Sequence, residues 1–314
     1  MIAAYEFENG KLVESDDRAE APVLICIQPD QMEKMFIQTQ FDLGQHTLYS
    51  LLDENELPRI ECRDHKIVII CKHPLHIGVI DNNVEFHVTS LGAIIYENRL
   101  LFVFNEPIER REFLTTHMRI YDIRDLLISV LHRTTLHFHE HLRCISLGME
   151  QIEEEVIATA DTHQLMNLFT LGKSLTYYVS ALNGNNSLIE RIYNNADRLN
   201  FNSQQKETLD DIRLDSAQCC QEAQITTSIM TKMTDARISM MGNNLSILMK
   251  RLTIISLVLM PMNLIAGIGG MSEYTAFTHD FLPMWASYGL LIFAFAFVGY
   301  LTYKFLQKMG LLKY

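Results

Sequence analysis

Met249-Lys-Arg-Leu-Thr-Ile-Ile-Ser-Leu-Val-Leu-Met-Pro-Met-Asn-Leu-Ile-Ala-Gly-Ile-Gly-Gly-Met271 is the stretch whose reading decides the fold. From Leu252 to Met271 it has no charged residue, and about 20 such residues suffice for a helix to cross a bilayer. Pro283 to Tyr303 is a second charge-free stretch of similar length, rich in Phe, Leu and Ala. A single helix of this kind also occurs as the core of a soluble domain. Two in succession, flanked by Lys250-Arg251 and by Lys304, Lys308 and Lys313, predict a membrane hairpin. Pro261 is expected to kink the first helix, not end it, because membrane helices tolerate proline. The loop from Ser272 to Leu282 lacks Lys and Arg, so the positive-inside rule puts both termini in the cytoplasm. Tyr274, Phe277, Trp285 and Tyr288 suit the outer interface.

The polar residues of the first span fall on a seven-residue seam. Thr253, Met260 and Gly267 hold one position of the repeat and Ser256, Asn263 and Gly270 another, with Ser246 and Met249 continuing below the membrane. Such a repeat faces a neighbouring helix or a symmetry axis. Small and hydroxylated residues line dry helix contacts as well as wet cavities, so the seam alone fits packing as well as a pore wall. The outer loop favours the pore. Apart from His279 its charges are Glu273 and Asp280, both acidic, and a ring of them would concentrate cations. Two spans cannot enclose an aqueous path alone, so transport requires an oligomer.

Outward from the hairpin the composition changes. The whole chain is 48% hydrophobic and 20% charged, an ordinary average that hides an apolar C-terminus behind an acidic remainder. A net charge of -12 argues against nucleic acid as partner and suits a protein that gathers cations. The six cysteines form no CxxC pair, which suggests reduced thiols in the cytosol. The start has neither a basic n-region nor an apolar h-region, so no signal peptide is expected.

Residues 1–125 read as a cytoplasmic α/β domain. Strand-like runs lie at Val23–Gln28, Lys66–Cys71, Val84–Val88 and Leu100–Phe104, a turn at Asn98-Arg99, and a short helix at Gln45–Leu52. Residues 126–251 read as helical, without proline, broken at Asn183-Gly-Asn-Asn and Asn200-Phe-Asn-Ser. From a cap at Ser203 a stalk helix is expected to run unbroken past Gly242 towards Gly267. Residues 252–271 and 283–303 are the spans, 272–282 the outer loop and 304–314 a cytoplasmic tail. The fold class is thus an α+β membrane protein.

Met249-Lys-Arg-Leu-Thr-Ile-Ile-Ser, then Leu259-Met-Pro-Met-Asn-Leu-Ile-Ala-Gly-Ile-Gly-Gly-Met-Ser, resembles the end of the CorA family of divalent-cation transporters. That family reads Leu-Thr-Ile-Ile, then Pro-Leu-Thr-Leu-Ile-Ala-Gly-Ile-Tyr-Gly-Met-Asn. The resemblance implies a homopentameric funnel in an inner membrane, with the first spans lining the pore and divalent cations as cargo and possible regulators. It makes Gly270, Met271 and Ser272 the mouth, with Glu273 beside it and Asp280 drawing cations to it. Asn263 becomes an inner polar ring and Met260 a hydrophobic constriction. Gly267, Ser256, Thr253 and Met249 complete the lining. Where the family has Tyr-Gly-Met-Asn, this chain has Gly269-Gly270-Met271-Ser272. A Ser hydroxyl is shorter than an Asn amide and offers no carbonyl to a hydrated Mg²⁺. A wider mouth of broad selectivity (Mg, Zn, Co, Ni) follows, closer to the CmaX-like or ZntB-like relatives than to a dedicated magnesium channel.

His137-Phe-His139-Glu-His141 places His137 and His141 on one helix face. They read as exposed or interfacial histidines; a metal- or pH-sensing patch is the functional alternative. Glu150-Gln-Ile-Glu153-Glu154-Glu155 is a solvated face or a cation-collecting one. Asp210, Asp211 and Asp215 lie where the resemblance implies regulatory divalent ions. No nucleophile–base motif or nucleotide fingerprint appears, so an enzyme is not expected. The competing class is a membrane-anchored structural or regulatory oligomer that conducts nothing.

Overall fold

The computed structural model describes residues 1–63, 66–75, 78–80, 83–107, 119–158, 162–268, 274, 278, 281 and 283–308. They divide into two compact units, Met1–Asp235 and Ala236–Tyr314.

The first unit opens with β1 (Ile2–Glu8), β2 (Lys11–Ser15), β3 (Val23–Ile27), α1 (Gln31–Gln40) and α2 (Gln45–Leu52). Then follow β4 (Arg59–Arg63), β5 (Lys66–Pro74), β6 (Gly78–Ile80), β7 (Asn83–Glu85), β8 (Val88–Tyr96) and β9 (Arg99–Phe104). Seven strands form one sheet in the order β2-β1-β3-β9-β8-β5-β4, while β6 and β7 pair separately. Among the described strands only β3 and β9 run parallel; the other ladders are antiparallel. Both faces are covered, which is why Lys66 to Cys71 is apolar almost throughout. Leu24, Cys26, Ile70, Ile94 and Leu101 point towards Ile37 of α1, Phe41 at its C-cap, and Leu48 and Leu51 of α2. The alternate residues, among them Ile25, Ile69, Leu91 and Phe102, meet the helices of the other face.

Those helices are α3 (Ile123–Ala158), α4 (Thr162–Asn194) and the start of α5 (Ser203–Ile268). Leu126, Leu127 and Val130 of α3, Leu188, Ile189 and Ile192 of α4, and Leu209 and Ile212 of α5 join the sheet's core. Further along, Phe138, Leu142, Leu175, Tyr178, Cys219 and Ala223 build a second, purely helical core closed by Phe86. The stalk helix is continuous through Gly242 and Pro261, as the sequence predicts.

Several local readings need correction. The turn between β8 and β9 is Glu97-Asn98, both at positive φ (53° and 92°), and Arg99 already pairs with Tyr96. Two left-handed residues give the primed turn that suits the strands' twist. Val84–Val88 is not one strand: β7 stops at Glu85 and β8 starts at Val88, because Phe86 turns aside to fill the helical core. Asn183-Gly-Asn-Asn does not break its helix but lies inside α4. Asn185 Oδ1 accepts from the Lys72 N–H and its Nδ2 donates to the Lys72 carbonyl, both at 2.8 Å. Since β4 pairs with β5 only as far as Ile70, this amide stands in for the missing strand. Gly184 lets Pro58 approach, as a Cβ there would lie 2.6 Å from Pro58 Cγ. The cap of α5 is Asn202, not Ser203. Asn202 Oδ1 accepts from the Gln205 N–H at 2.8 Å and Gln205 Oε1 from the Asn202 N–H at 3.0 Å, a reciprocal capping box.

The second unit holds the end of α5 and α6 (Met284–Lys308). Ser287, Leu291, Phe295, Val298, Gly299, Thr302 and Leu306 form the half-buried stripe of α6 at helical spacing. It packs on α5: a Cβ on Gly299 would sit 3.3 Å from Met262 Sδ.

Candidate ion pathway

The apolar end of α5 has the length and composition of a membrane span, and none of that stretch is buried within the protein. In α6, Ser287 and Leu306 are the buried residues among the described side chains. Phe293 is 73% exposed and Met260 68%. A soluble core helix would hide such side chains; two helices this long, apolar and uncovered fit a two-span membrane protein.

Within this hairpin the polar seam occupies its own face. Ile254, Val258, Pro261 and Met262 are the partly covered positions of α5, and Met262 meets α6. Thr253, Ser256, Met260, Asn263 and Gly267 are exposed. With about 3.6 residues per turn, Met249 and those five positions span an arc of roughly 80°, clear of the α6 contact. Thr253 Oγ1 donates to the Met249 carbonyl at 2.9 Å, so its hydroxyl is satisfied within the helix and bends no neighbour towards it. The carboxamide of Asn263 and hydroxyl of Ser256 stand on the open face. The proposed mouth, Gly270, Met271, Ser272 and Glu273, and the loop's Asp280 lie outside the described residues.

The histidine cluster takes a form that spacing did not reveal. His137 and His141 are neighbours, ring centroids 4.5 Å apart, and the His73 ring of β5 lies tilted beside His137 at 5.4 Å. His141 is buried, with its Nδ1 2.6 Å from the Tyr178 hydroxyl. Burial pushes the Tyr178 phenol up, so it stays protonated and keeps this bond. The patch is interfacial, between α3, α4 and the sheet. His139 instead faces Glu222 of α5, Nδ1 to Oε2 3.0 Å.

Asp211 and Asp215 are exposed one turn apart on α5, and Asp210 is held by Arg213 at 2.8 Å. No group of three or more His, Cys, Asp or Glu that could hold a metal occurs among the described residues. Sequence reasoning missed a hydroxyl network in the outer loop. Tyr274 donates to the Ser287 carbonyl at 2.9 Å, and the Thr278 and Ser287 hydroxyls lie 2.7 Å apart. The only sequence signal was a loop rich in hydroxyl residues.

Comparison with known proteins agrees with this architecture. A curated relative, the cobalt/magnesium transport protein CorA of Methanocaldococcus jannaschii, is 25% identical over 283 residues, covering 85% of each chain. The solved CorA magnesium transporter of the same organism has the same fold, with TM-score 0.75 at 19% identity, over 98% of this chain and 97% of that one. The full-length CmaX structure matches with TM-score 0.62 at 15% identity over the same shares. The family described as CorA-like Mg2+ transporter protein matches residues 24–307. That match takes in the sheet from β3 onward, the helical core and both apolar helices, and this chain accordingly belongs to the CorA-like family, whose members transport divalent cations and are not enzymes.

Proposed function

We propose that the chain is a divalent-cation channel of broad selectivity in an inner membrane, with its pore formed by the first spans (252–271) of a homopentamer. The observation that carries this reading is the open polar seam: Ser256, Asn263 and Met260 lie together on one face within the wide arc of α5 that α6 leaves uncovered. A lipid-facing arc would have no use for a carboxamide, which costs several kcal/mol unpaired in hydrocarbon. In the pentamer Asn263 forms a polar ring and Met260 an apolar constriction that gates by dewetting. Gly270, Met271 and Ser272 form the mouth, with Glu273 and Asp280 drawing cations to it. The second span occupies 283–303, and both termini are cytoplasmic. Asp211 and Asp215 on the stalk and the His137–His141 pair are the positions where cytoplasmic cations could act as regulators.

Broad selectivity rests on Gly269-Gly270-Met271-Ser272, which offers hydroxyls and backbone carbonyls where the resemblance has an Asn amide. The same departure supports a place near the CmaX-like or ZntB-like branch; the higher backbone likeness to the archaeal transporter speaks for the shared fold alone. The test is flux into proteoliposomes carrying metal-sensitive dyes, with and without a proton gradient. Mg²⁺, Zn²⁺, Co²⁺ and Ni²⁺ should all pass without the gradient, and Met260→Ala should raise the resting leak. Oligomers that pass none of these ions would leave a membrane anchor, and passage of Mg²⁺ alone would remove the broad selectivity.

A further inference from the structure

Residues 236–268 and 283–308 hold five basic side chains, Arg237, Lys250, Arg251, Lys304 and Lys308, and no Asp or Glu, in a chain whose net charge is -12. The last two stand on α6, and their place on it decides what they can meet. At about 3.6 residues per turn, Phe293, Phe297, Tyr300, Lys304 and Lys308 fall within an arc of roughly 80°. That arc lies on the side away from the stripe through Gly299, Thr302 and Leu306 that packs on α5. Phe293 is 73% exposed, Phe297 54% and Tyr300 58%, and both lysines are exposed. Along the helix this outer face passes from apolar rings to a phenol and then to two cations.

The level of those cations matches a membrane surface. Trp285, 81% exposed, precedes Lys304 by nineteen residues, a rise of about 28 Å against the roughly 30 Å of a hydrocarbon core. With Trp285 at one interface, Lys304 therefore reaches the other. Its ammonium lies 5.5 Å from the centroid of the Tyr300 ring. Tyr300 is one turn nearer the bilayer centre, so this contact draws the ammonium back along the helix, where a snorkelling lysine would extend outward. Lys308 stands one turn on, and like charges four residues apart on a helix repel. The helix dipole favours Lys308 in the last turn but fades before Lys304. A second copy of the hairpin brings no carboxylate within these residues either. The anion that suits two neighbouring ammoniums here is one that the membrane itself supplies.

We infer that Tyr300, Lys304 and Lys308 form a site for an anionic phospholipid of the cytoplasmic leaflet, with its phosphodiester between the two ammoniums and its acyl chains along Phe297 and Phe293. This rests on the reading of α6 as a span whose C-terminal end is cytoplasmic, and it holds whether or not ions pass. Native mass spectrometry of the full chain in neutral detergent tests it, with phosphatidylglycerol and phosphatidylethanolamine of matched chains each titrated in. Phosphatidylglycerol should bind more tightly. Lys304→Gln and Lys308→Gln should each weaken its binding by about five-fold, the worth of one cation at an anionic membrane surface, and the double variant by about twenty-five-fold. The double exchange of Lys304→Arg and Lys308→Arg should keep the affinity. Lys11→Gln, at an exposed lysine of β2, should leave it unchanged. Equal binding of the two lipids, or an equal loss in Lys11→Gln, would overturn the site. Wild-type affinity in the double glutamine variant would overturn it too, while leaving the span and the transport reading intact. Displacement of the lipid by free glycerol phosphate at matched concentration would assign the lysines to a soluble phosphate and overturn the lipid. Wild-type protein that stays in solution without detergent would overturn the membrane reading, and the site with it.

Discussion

Cys26, Cys71 and Cys219 are buried, and burial pushes each thiol up to about 12 from an ordinary 9.0. Between those values the unfolded chain loses thiol protons that the native protein keeps. The stability is fully present below pH 9.0 and drains as pH rises towards 12, by about 1.4 kcal/mol per pH unit for each thiol. Lys72, lowered by its own burial, works in the opposite sense and offsets part of the loss. Denaturant midpoints of the detergent-solubilised chain should fall between about pH 8 and about pH 10, and a flat profile would contradict the burial. Some residue-scale features were legible in the sequence and others were not. The seam positions Thr253, Ser256, Met260 and Asn263 could be read from spacing, because a helix imposes its period on exposed faces. The burial of His141 could not, since its partners Tyr178 and Phe86 arrive from α4 and the β7–β8 connection. Asn202 lost the cap to Ser203 in the reading because both suit it, and only Gln205 three positions on decides for Asn202.

At the scale of elements, two glycines carry predictions of opposite sign. A Cβ on Gly92 of β8 would lie 2.4 Å from Leu51 Cδ2 and 3.3 Å from Leu51 Cβ, so α2 seats on the sheet only because Gly92 is bare. Gly92→Ala should destabilise by about 1–3 kcal/mol through overpacking. Gly148 in α3 has nothing within 4 Å of such a Cβ, and Gly148→Ala should stabilise by about 0.5–1 kcal/mol through helix propensity. Equal midpoints for the two variants would show that α2 yields without cost. Elements with a single strong periodicity were legible: β3, β5, α2 and the long α5 all stand where pattern put them. The Asn183–Asn186 stretch misled because Asn and Gly usually signal a turn. Here the Asn185 amide satisfies strand β5 and Gly184 accommodates Pro58, tertiary contacts that outweigh local propensity. The Glu97-Asn98 turn was displaced by one residue for a simpler reason: Arg99 belongs to the ladder through Tyr96, and its side chain is held by the Ala21 carbonyl at 3.0 Å.

For the whole molecule, the two apolar helices leave large side chains such as Met260, Leu264, Phe293 and Phe297 uncovered within one copy. Lipid can cover the apolar ones, but the arc bearing Ser256 and Asn263 calls for water or polar neighbours. That arc separates a conducting oligomer from an anchor, and it can be probed one position at a time. Ser256 lies on the seam, while Ile255, 55% exposed, lies roughly 120° around the helix from the seam's centre. The most direct measurement is divalent-cation flux through reconstituted Ser256→Cys and Ile255→Cys, before and after a water-soluble methanethiosulfonate, with the wild type as control for its native thiols. A water-filled seam predicts that the reagent suppresses flux through Ser256→Cys and spares both Ile255→Cys and wild type. The same response in both variants, or none in Ser256→Cys, would contradict the assignment of the first span as the pore wall.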